Sequence, residues 1–182
     1  MSGRVIVVGL GAGDPAQITP QVTQAINLAT DIIGYIPYID RITPKQGVRL
    51  HPSDNRLEME RAEHALALAQ AGRIVLIVSS GDPGVFAMAA ALFEALEKNL
   101  QKWQDIDIEI LPGITAMLAA AALVGAPLGH DFCVINLSDN LKPWSIIEKR
   151  LLGAVEADFA MAFYNPRSSS RPEGFEKTLK LL

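Results

Sequence analysis

Apolar positions gather in two kinds of segment along this chain. Short runs rich in Val and Ile read as strands: RVIVVGL (4–10), DIIGYI (31–36), GVRLH (47–51), RIVLIVSS (73–80) and IDIEIL (106–111). Most lack the alternation of a half-exposed strand, as expected where both faces are covered. Longer segments between them carry a helical period. TPQVTQAINLAT (19–30) offers Thr19 as N-cap and Pro20 at the first helical position. SDNRLEMERAEHALALAQAG (53–72) offers Ser53 as cap, sets Met59, Ala62, Leu66 and Ala69 on one face, and stops at Gly72. VFAMAAALFEALEKN (85–99) is a third helix. Strands alternating with helices predict an α/β fold with a mainly parallel sheet.

A further helix, TAMLAAAALVG (115–125), leads through APLGHD to a second set of elements. These are a strand at 132–138, a helix at 143–153, a strand at 158–165 and an amphipathic helix within 171–182. The pattern divides the chain into an N-terminal αβα domain (1–113), a connecting helix and loop (114–130), and the first part of a C-terminal αβα domain (131–182). Another strand is expected after the last helix, so the second domain reads as incomplete.

Composition narrows the functional classes. With 182 residues, 49% of them hydrophobic, the chain can bury a real core. No window reaches the ~18 apolar residues of a membrane span. The apolar run at the N-terminus is too short for a signal peptide, which makes the cytoplasm the simplest location. The one cysteine, Cys133, permits no internal disulfide and no Cys-based zinc site, and no metal is expected. A net charge of −4 leaves no footprint for nucleic acid. A local cluster of Arg and Lys could still hold an anionic small molecule.

The chemistry-bearing residues sit at strand ends. VGLGAGDP (8–15) spaces Gly9, Gly11 and Gly13 two apart, which lets backbone approach a ligand or take positive φ. It is not the G-x-G-x-x-G dinucleotide fingerprint, although Asp31 stands where a ribose-binding acid could be sought. SSGDPGVF (79–86) sets small residues, then Asp82 and Pro83, before a helix; Asp82 fits an N-cap with proline at N1. A carboxylate there suits a ligand with a positive centre or hydroxyls rather than a phosphate. LPGITAM (111–117) is the third such turn, with Thr115 placed to cap a helix. In open α/β sheets ligands bind at the carboxyl ends of strands, and three loops of this kind would line one crevice.

Together GLGAGD (9–14), SSGDPGVF (79–86) and PGITA (112–116) resemble the tetrapyrrole methylase family, in order and spacing along the whole chain. INLSDNLKPW (135–144) and AFYNPRSSSR (162–171) are similar to its precorrin-3B C(17)-methyltransferase branch, or the cobalt-inserted anaerobic counterpart. The resemblance implies a two-domain αβα homodimer that binds S-adenosylmethionine in a cleft and methylates a corrin-ring precursor in cobalamin biosynthesis, precorrin-3B to precorrin-4 with ring contraction. It places the cofactor at Gly11, Ala12, Ser80, Gly81, Asp82, Val85, Thr115 and Ala116, and in the second domain at Leu137, Tyr164 and Asn165. Ala12 stands where the family has proline.

A sulfonium methyl group is already electrophilic, so no dedicated nucleophile is needed, and no G-x-S-x-G, H-E-x-x-H or Walker lysine is present. Asp14 and Ser138 are candidates for proton transfer because their loops should face the ligand. Lys142, Arg167 and Arg171 are candidates for the substrate's carboxylates, which guanidinium forks grip bidentately. His51, His64 and His130 are scattered, and Trp103, Trp144 and Cys133 read as packing residues. Competing readings are another tetrapyrrole methylase, a nucleotide-dependent oxidoreductase built on the first loop and Asp31, and a non-catalytic binding domain.

Overall fold

The computed structural model describes residues 3–55, 57–140, 142–168 and 172–182. Its elements run β1 (Arg4–Gly9), a 3-10 turn (Pro15–Gln17), α1 (Pro20–Leu28), β2 (Asp31–Tyr35), α2 (Ile36–Ile39), β3 (Arg49–Ser53), α3 (Glu58–Gln70), β4 (Ile74–Ser79), α4 (Met88–Lys98), α5 (Leu100–Trp103), β5 (Asp107–Leu111), α6 (Ala116–Leu123), β6 (Phe132–Asn136), α7 (Trp144–Glu156), β7 (Ala160–Tyr164) and α8 (Gly174–Leu181). They form two compact units, Met1–Ala116 and Met117–Leu182.

The first unit is a five-stranded, all-parallel sheet in the order β3-β2-β4-β1-β5. Its two faces use alternate residues of the same strands. Val5, Val7, Ile33, Val75 and Ile77 pack with Ala62, Leu66, Leu92 and Trp103 from the α3–α5 side. Ile6, Val8, Ile32, Leu76 and Val78 pack with Val22 and Ile26 of α1 and Ile39 of α2. Burial on both faces explains the unbroken Val/Ile runs. Pro52 is accommodated because β3 is an edge strand, paired only with β2.

Local signals set most element ends. Thr19 Oγ1 accepts the Val22 N–H at 3.3 Å, and Pro20 opens α1. Gly72, with φ +81°, ends α3 and donates to the Ala69 carbonyl. Two expected starts differ. Ser53 does not cap α3: it is the last residue of β3, paired with Tyr35, and α3 begins at Glu58. Its hydroxyl instead accepts from Arg61 Nε at 2.9 Å. Likewise α4 begins at Met88, not directly after Asp82. Phe86 at φ +52° and extended Ala87 interrupt helical geometry between them.

The second unit contains a parallel βαβ unit, β6-α7-β7, followed by α8. Ile135, Leu137, Ile147, Leu151 and Ala154 form its core, with Trp144, Met161, Phe163 and Phe175 against it. Asp158, at φ +56°, closes α7 as the Phe159 N–H reaches back to the Ala154 carbonyl. Among the described residues no helix is long and apolar enough to cross a membrane, and no cluster of His, Cys, Asp and Glu could hold a metal ion.

Candidate functional site

The strand order puts β1 between β4 and β5, with Gly9 level with Ser79 and Val8 level with Leu111. The three turns at 9–15, 80–87 and 112–115 therefore leave the same carboxyl edge from neighbouring strands. They are tied by main chain. The Gly11 N–H donates to the Gly81 carbonyl (3.2 Å) and the Gly81 N–H to the Gly11 carbonyl (2.9 Å). Both glycines have positive φ, +68° and +62°. Gly9 and Gly113 pack backbone on backbone: a Cβ at Gly9 would lie 2.8 Å from Gly113 Cα, and one at Gly113 would meet the Gly81 carbonyl oxygen. No residue but glycine fits these two points without displacing the turns.

Asp82 couples the second turn to the third. One carboxylate oxygen accepts the Gly84 N–H at 2.8 Å and the other accepts the Gly113 N–H at 3.0 Å. It thus caps its own turn rather than a helix. Each oxygen keeps a further acceptor site. Ser80 and Val85 are half-buried in this turn, Gly81 is buried, and Thr115 is buried directly before exposed Ala116.

The first turn is held from two sides. The Ala12 N–H donates to Gln17 Oε1 at 2.8 Å. The Arg41 guanidinium donates to the carbonyls of Leu10 (2.6 Å) and Gly11 (3.2 Å). Asp14 lies on this exposed turn, where its carboxylate accepts the Ala16 N–H and caps the 3-10 turn. No motif announced Arg41 or Gln17. Arg41 follows a four-residue helix and meets the turn some thirty positions away, a pairing created by the fold.

Asp31 lies at the opposite edge. It begins β2, beside Arg49 at the start of β3 and Arg73 just before β4. Wholly buried, it accepts from Arg73 Nε (2.7 Å), Thr30 Oγ1 (2.8 Å), His51 Nε2 (3.0 Å) and Arg49 Nε (3.2 Å). Burial works against its charge, but the hydrogen bonds from His51, Arg73 and Thr30 outweigh it and hold the pKa at about 2. At the amino ends of the strands it cannot meet a ribose bound at the carboxyl ends, so the oxidoreductase reading loses its acid. His64 packs edge-on against His51, and burial lowers its pKa.

In the second unit the ends of β6 and β7 are joined through Asn136. Its Oδ1 accepts the Ser138 N–H (2.9 Å) and Asn165 Nδ2 (3.1 Å), and Asn165 takes φ +50°. The Leu137 N–H donates to the Tyr164 carbonyl, and the Tyr164 hydroxyl accepts the Met117 N–H at 2.9 Å. Leu137, Ser138, Tyr164 and Asn165 are thus brought together at one end of that small sheet. Lys142 Nζ donates to the Ser138 carbonyl at 2.8 Å. Arg167 pairs with Glu176 at 3.3 Å, both exposed. Arg171 lies outside the described residues.

Comparison with known proteins gives a consistent result. The model of a family described as Tetrapyrrole (Corrin/Porphyrin) Methylases matches residues 4–182. A precorrin-3B C(17)-methyltransferase from Sinorhizobium sp is 50% identical over 182 residues, all of this chain and 72% of the relative. A probable cobalt-factor III C(17)-methyltransferase from Salmonella typhimurium is 42% identical over 177 residues, 97% of this chain and 72% of the relative. The crystal structure of the methyltransferase CobJ superposes with a TM-score of 0.96 at 64% identity, covering all of this chain and 75% of that one.

Proposed function

Because the chain belongs to the tetrapyrrole (corrin/porphyrin) methylase family, we propose that it is an S-adenosylmethionine-dependent methyltransferase of cobalamin biosynthesis, acting at C17 of a precorrin-3B-type macrocycle with ring contraction. Identity to the precorrin-3B relative (50%) exceeds that to the cobalt-factor III relative (42%), which favours the metal-free macrocycle. The observation that carries the reading is the set of three turns locked together at one sheet edge by Gly11–Gly81 and Asp82–Gly113.

Those turns fit the cofactor's chemistry. Glycine closeness seals their inner side, whereas a Cβ at Gly13 would meet nothing within 4 Å, so the outer side is open. S-adenosylmethionine carries a carboxylate, an ammonium and ribose hydroxyls but no phosphate. Loop N–H groups suit the carboxylate, loop carbonyls the ammonium, and the spare acceptor sites of Asp82 a hydroxyl or the ammonium. Gly11, Ala12, Ser80, Gly81, Val85, Thr115 and Ala116 would present backbone with little side-chain obstruction. Leu137, Tyr164 and Asn165 are the contacts proposed for the second unit.

When bound, the cofactor supplies an electrophilic methyl group. The chain's task is then to hold the nucleophilic ring carbon in line with it and to keep water out. Orientation of this kind contributes up to ~7–11 kcal/mol. Asp14 and Ser138 are proposed for proton movement, and Lys142, Arg167 and Arg171 for outer carboxylates of the substrate. The same reading makes the enzyme a cytoplasmic homodimer. Incubation with cofactor and either metal-free or cobalt-containing macrocycle, followed by product mass spectrometry, tests the assignment: one added methyl group on the metal-free substrate is expected. Selective uptake of NAD(P), with no methyl transfer to either macrocycle, would overturn it.

A further inference from the structure

Arg61 is a cation in an unusual place. It is 5% exposed, and among the described residues no carboxylate stands within ion-pair distance of it. Its three hydrogen bonds go to neutral acceptors: Nε to Ser53 Oγ (2.9 Å), Nη2 to the Asp54 carbonyl (2.9 Å) and Nη1 to the Met88 thioether (3.2 Å). A thioether is a weak acceptor. Burial lowers the pKa of the guanidinium, while Glu58 and Tyr38 act the other way from longer range. Keeping an uncompensated cation dry is expensive, and a bound counter-charge would relieve it.

A cavity of about 260 Å³ adjoins it, lined by Arg61 with Ile33, Ser53, Leu57, Glu60 and His64. One water occupies about 30 Å³, so there is room for a side arm of several heavy atoms. Ser53 and its partner Tyr35 are the last residues of β3 and β2, which puts this end of the cavity at the carboxyl edge of the sheet. Met88 opens α4 directly after the segment that leaves the second turn. The Ser53 end of the cavity therefore lies at the carboxyl edge that the three turns share, while its His51 wall runs back along β3 toward Asp31, all within the same unit.

We propose that this cavity takes one acetate or propionate arm of the macrocycle and that Arg61 pairs with its carboxylate. The inference rests on the methyltransferase reading above. A planar, always-charged fork suits a carboxylate bidentately, and its desolvated setting strengthens the pair relative to one on the surface. Glu60 is the one acidic wall residue, exposed and not ion-paired with Arg61 among the described residues. It would tune the site rather than fill it.

The test uses an octacarboxylic porphyrin as probe, titrated by fluorescence, beside S-adenosylhomocysteine titrated by calorimetry. Arg61→Met should weaken porphyrin binding by roughly tenfold or more, the scale of a charge-assisted pair, and leave S-adenosylhomocysteine affinity unchanged. Leu57→Glu keeps Arg61 in place and offers it an internal partner; it should raise the urea midpoint and weaken porphyrin binding to a similar extent. Wild-type porphyrin affinity in both variants overturns the proposal, as does a wild-type chain that takes the cofactor product but no porphyrin. Failure of the methyltransferase reading looks different: neither S-adenosylhomocysteine binding nor methyl transfer by the wild type.

Discussion

The Gly113 amide donates to the Asp82 carboxylate across 3.0 Å, joining a turn after β4 to a turn after β5. The same carboxylate takes the Gly84 amide, so one side chain sets the shape of one loop and the distance to the next.

Replacing Asp82 by Ala removes both acceptors and should cost about 2 kcal/mol of stability. Asp82→Asn should be nearly as damaging, because one face of the amide must turn its NH2 toward a backbone N–H. Urea denaturation measures the stability, and calorimetry with S-adenosylhomocysteine should show weaker binding for both. Full affinity in a folded Asp82→Ala chain would mean that the residue only shapes the loop.

Two glycines of the first turn should respond unequally to alanine. Gly9→Ala drives a Cβ to 2.8 Å from Gly113 Cα, backbone that cannot step aside. A loss on the order of 3 kcal/mol and of cofactor affinity is expected. Gly13→Ala meets open space and carries only the strain of φ +150°, about 1–2 kcal/mol. Thermal unfolding of the two variants side by side checks the order.

Arg41 should act on cofactor affinity without touching the cofactor. Its guanidinium braces the carbonyls of Leu10 and Gly11. Arg41→Ala should raise the dissociation constant for S-adenosylhomocysteine roughly tenfold, about 1.4 kcal/mol. Arg41→Lys, which keeps charge but not the fork, should recover part of it. Equal affinity in all three proteins would assign Arg41 to packing alone.

Asp31 predicts the acid limb of stability. Its folded pKa of about 2 lies below the ordinary 3.8. A depressed carboxylate stabilises the fold above the unfolded pKa, and that contribution is lost as pH falls through the folded one. Roughly 2 kcal/mol should therefore disappear between about pH 4 and pH 2. Asp31→Asn leaves Arg49 and Arg73 around a neutral group and should cost about 3 kcal/mol or more at pH 7. It should also flatten the acid limb while leaving cofactor affinity unchanged, since the cluster lies at the far edge of the sheet.

Much of this architecture was legible in the chain, for a definite reason. Val/Ile runs bury both strand faces, and Thr19-Pro20 and Gly72 act on their own neighbours, so local chemistry decides those elements. The turns after β1, β4 and β5 were recognisable as small-residue loops, and parallel topology places such loops at the ligand edge. What was not legible depended on partners distant in the chain. Ser53 looks like a cap until β2 claims it as a strand residue, and Asp82-Pro83 looks like a helix start until Gly113 supplies the second half of its hydrogen bonding. Arg41 and Arg61 carry no motif; each gains its role only when a strand end folds against it.

The reciprocal bonds between Gly11 and Gly81 have a consequence for how this enzyme can diverge. Because both bonds are main chain to main chain, they fix how many residues separate each glycine from its strand, whatever those residues are. Extra residues spliced in upstream of Gly11 or Gly81 would pull the pair out of alignment, whereas lengthening at Gly13, where an added Cβ meets nothing, would disturb only the local Ala12–Gln17 and Asp14–Ala16 bonds. Relatives should therefore differ in loop size only downstream of the pair.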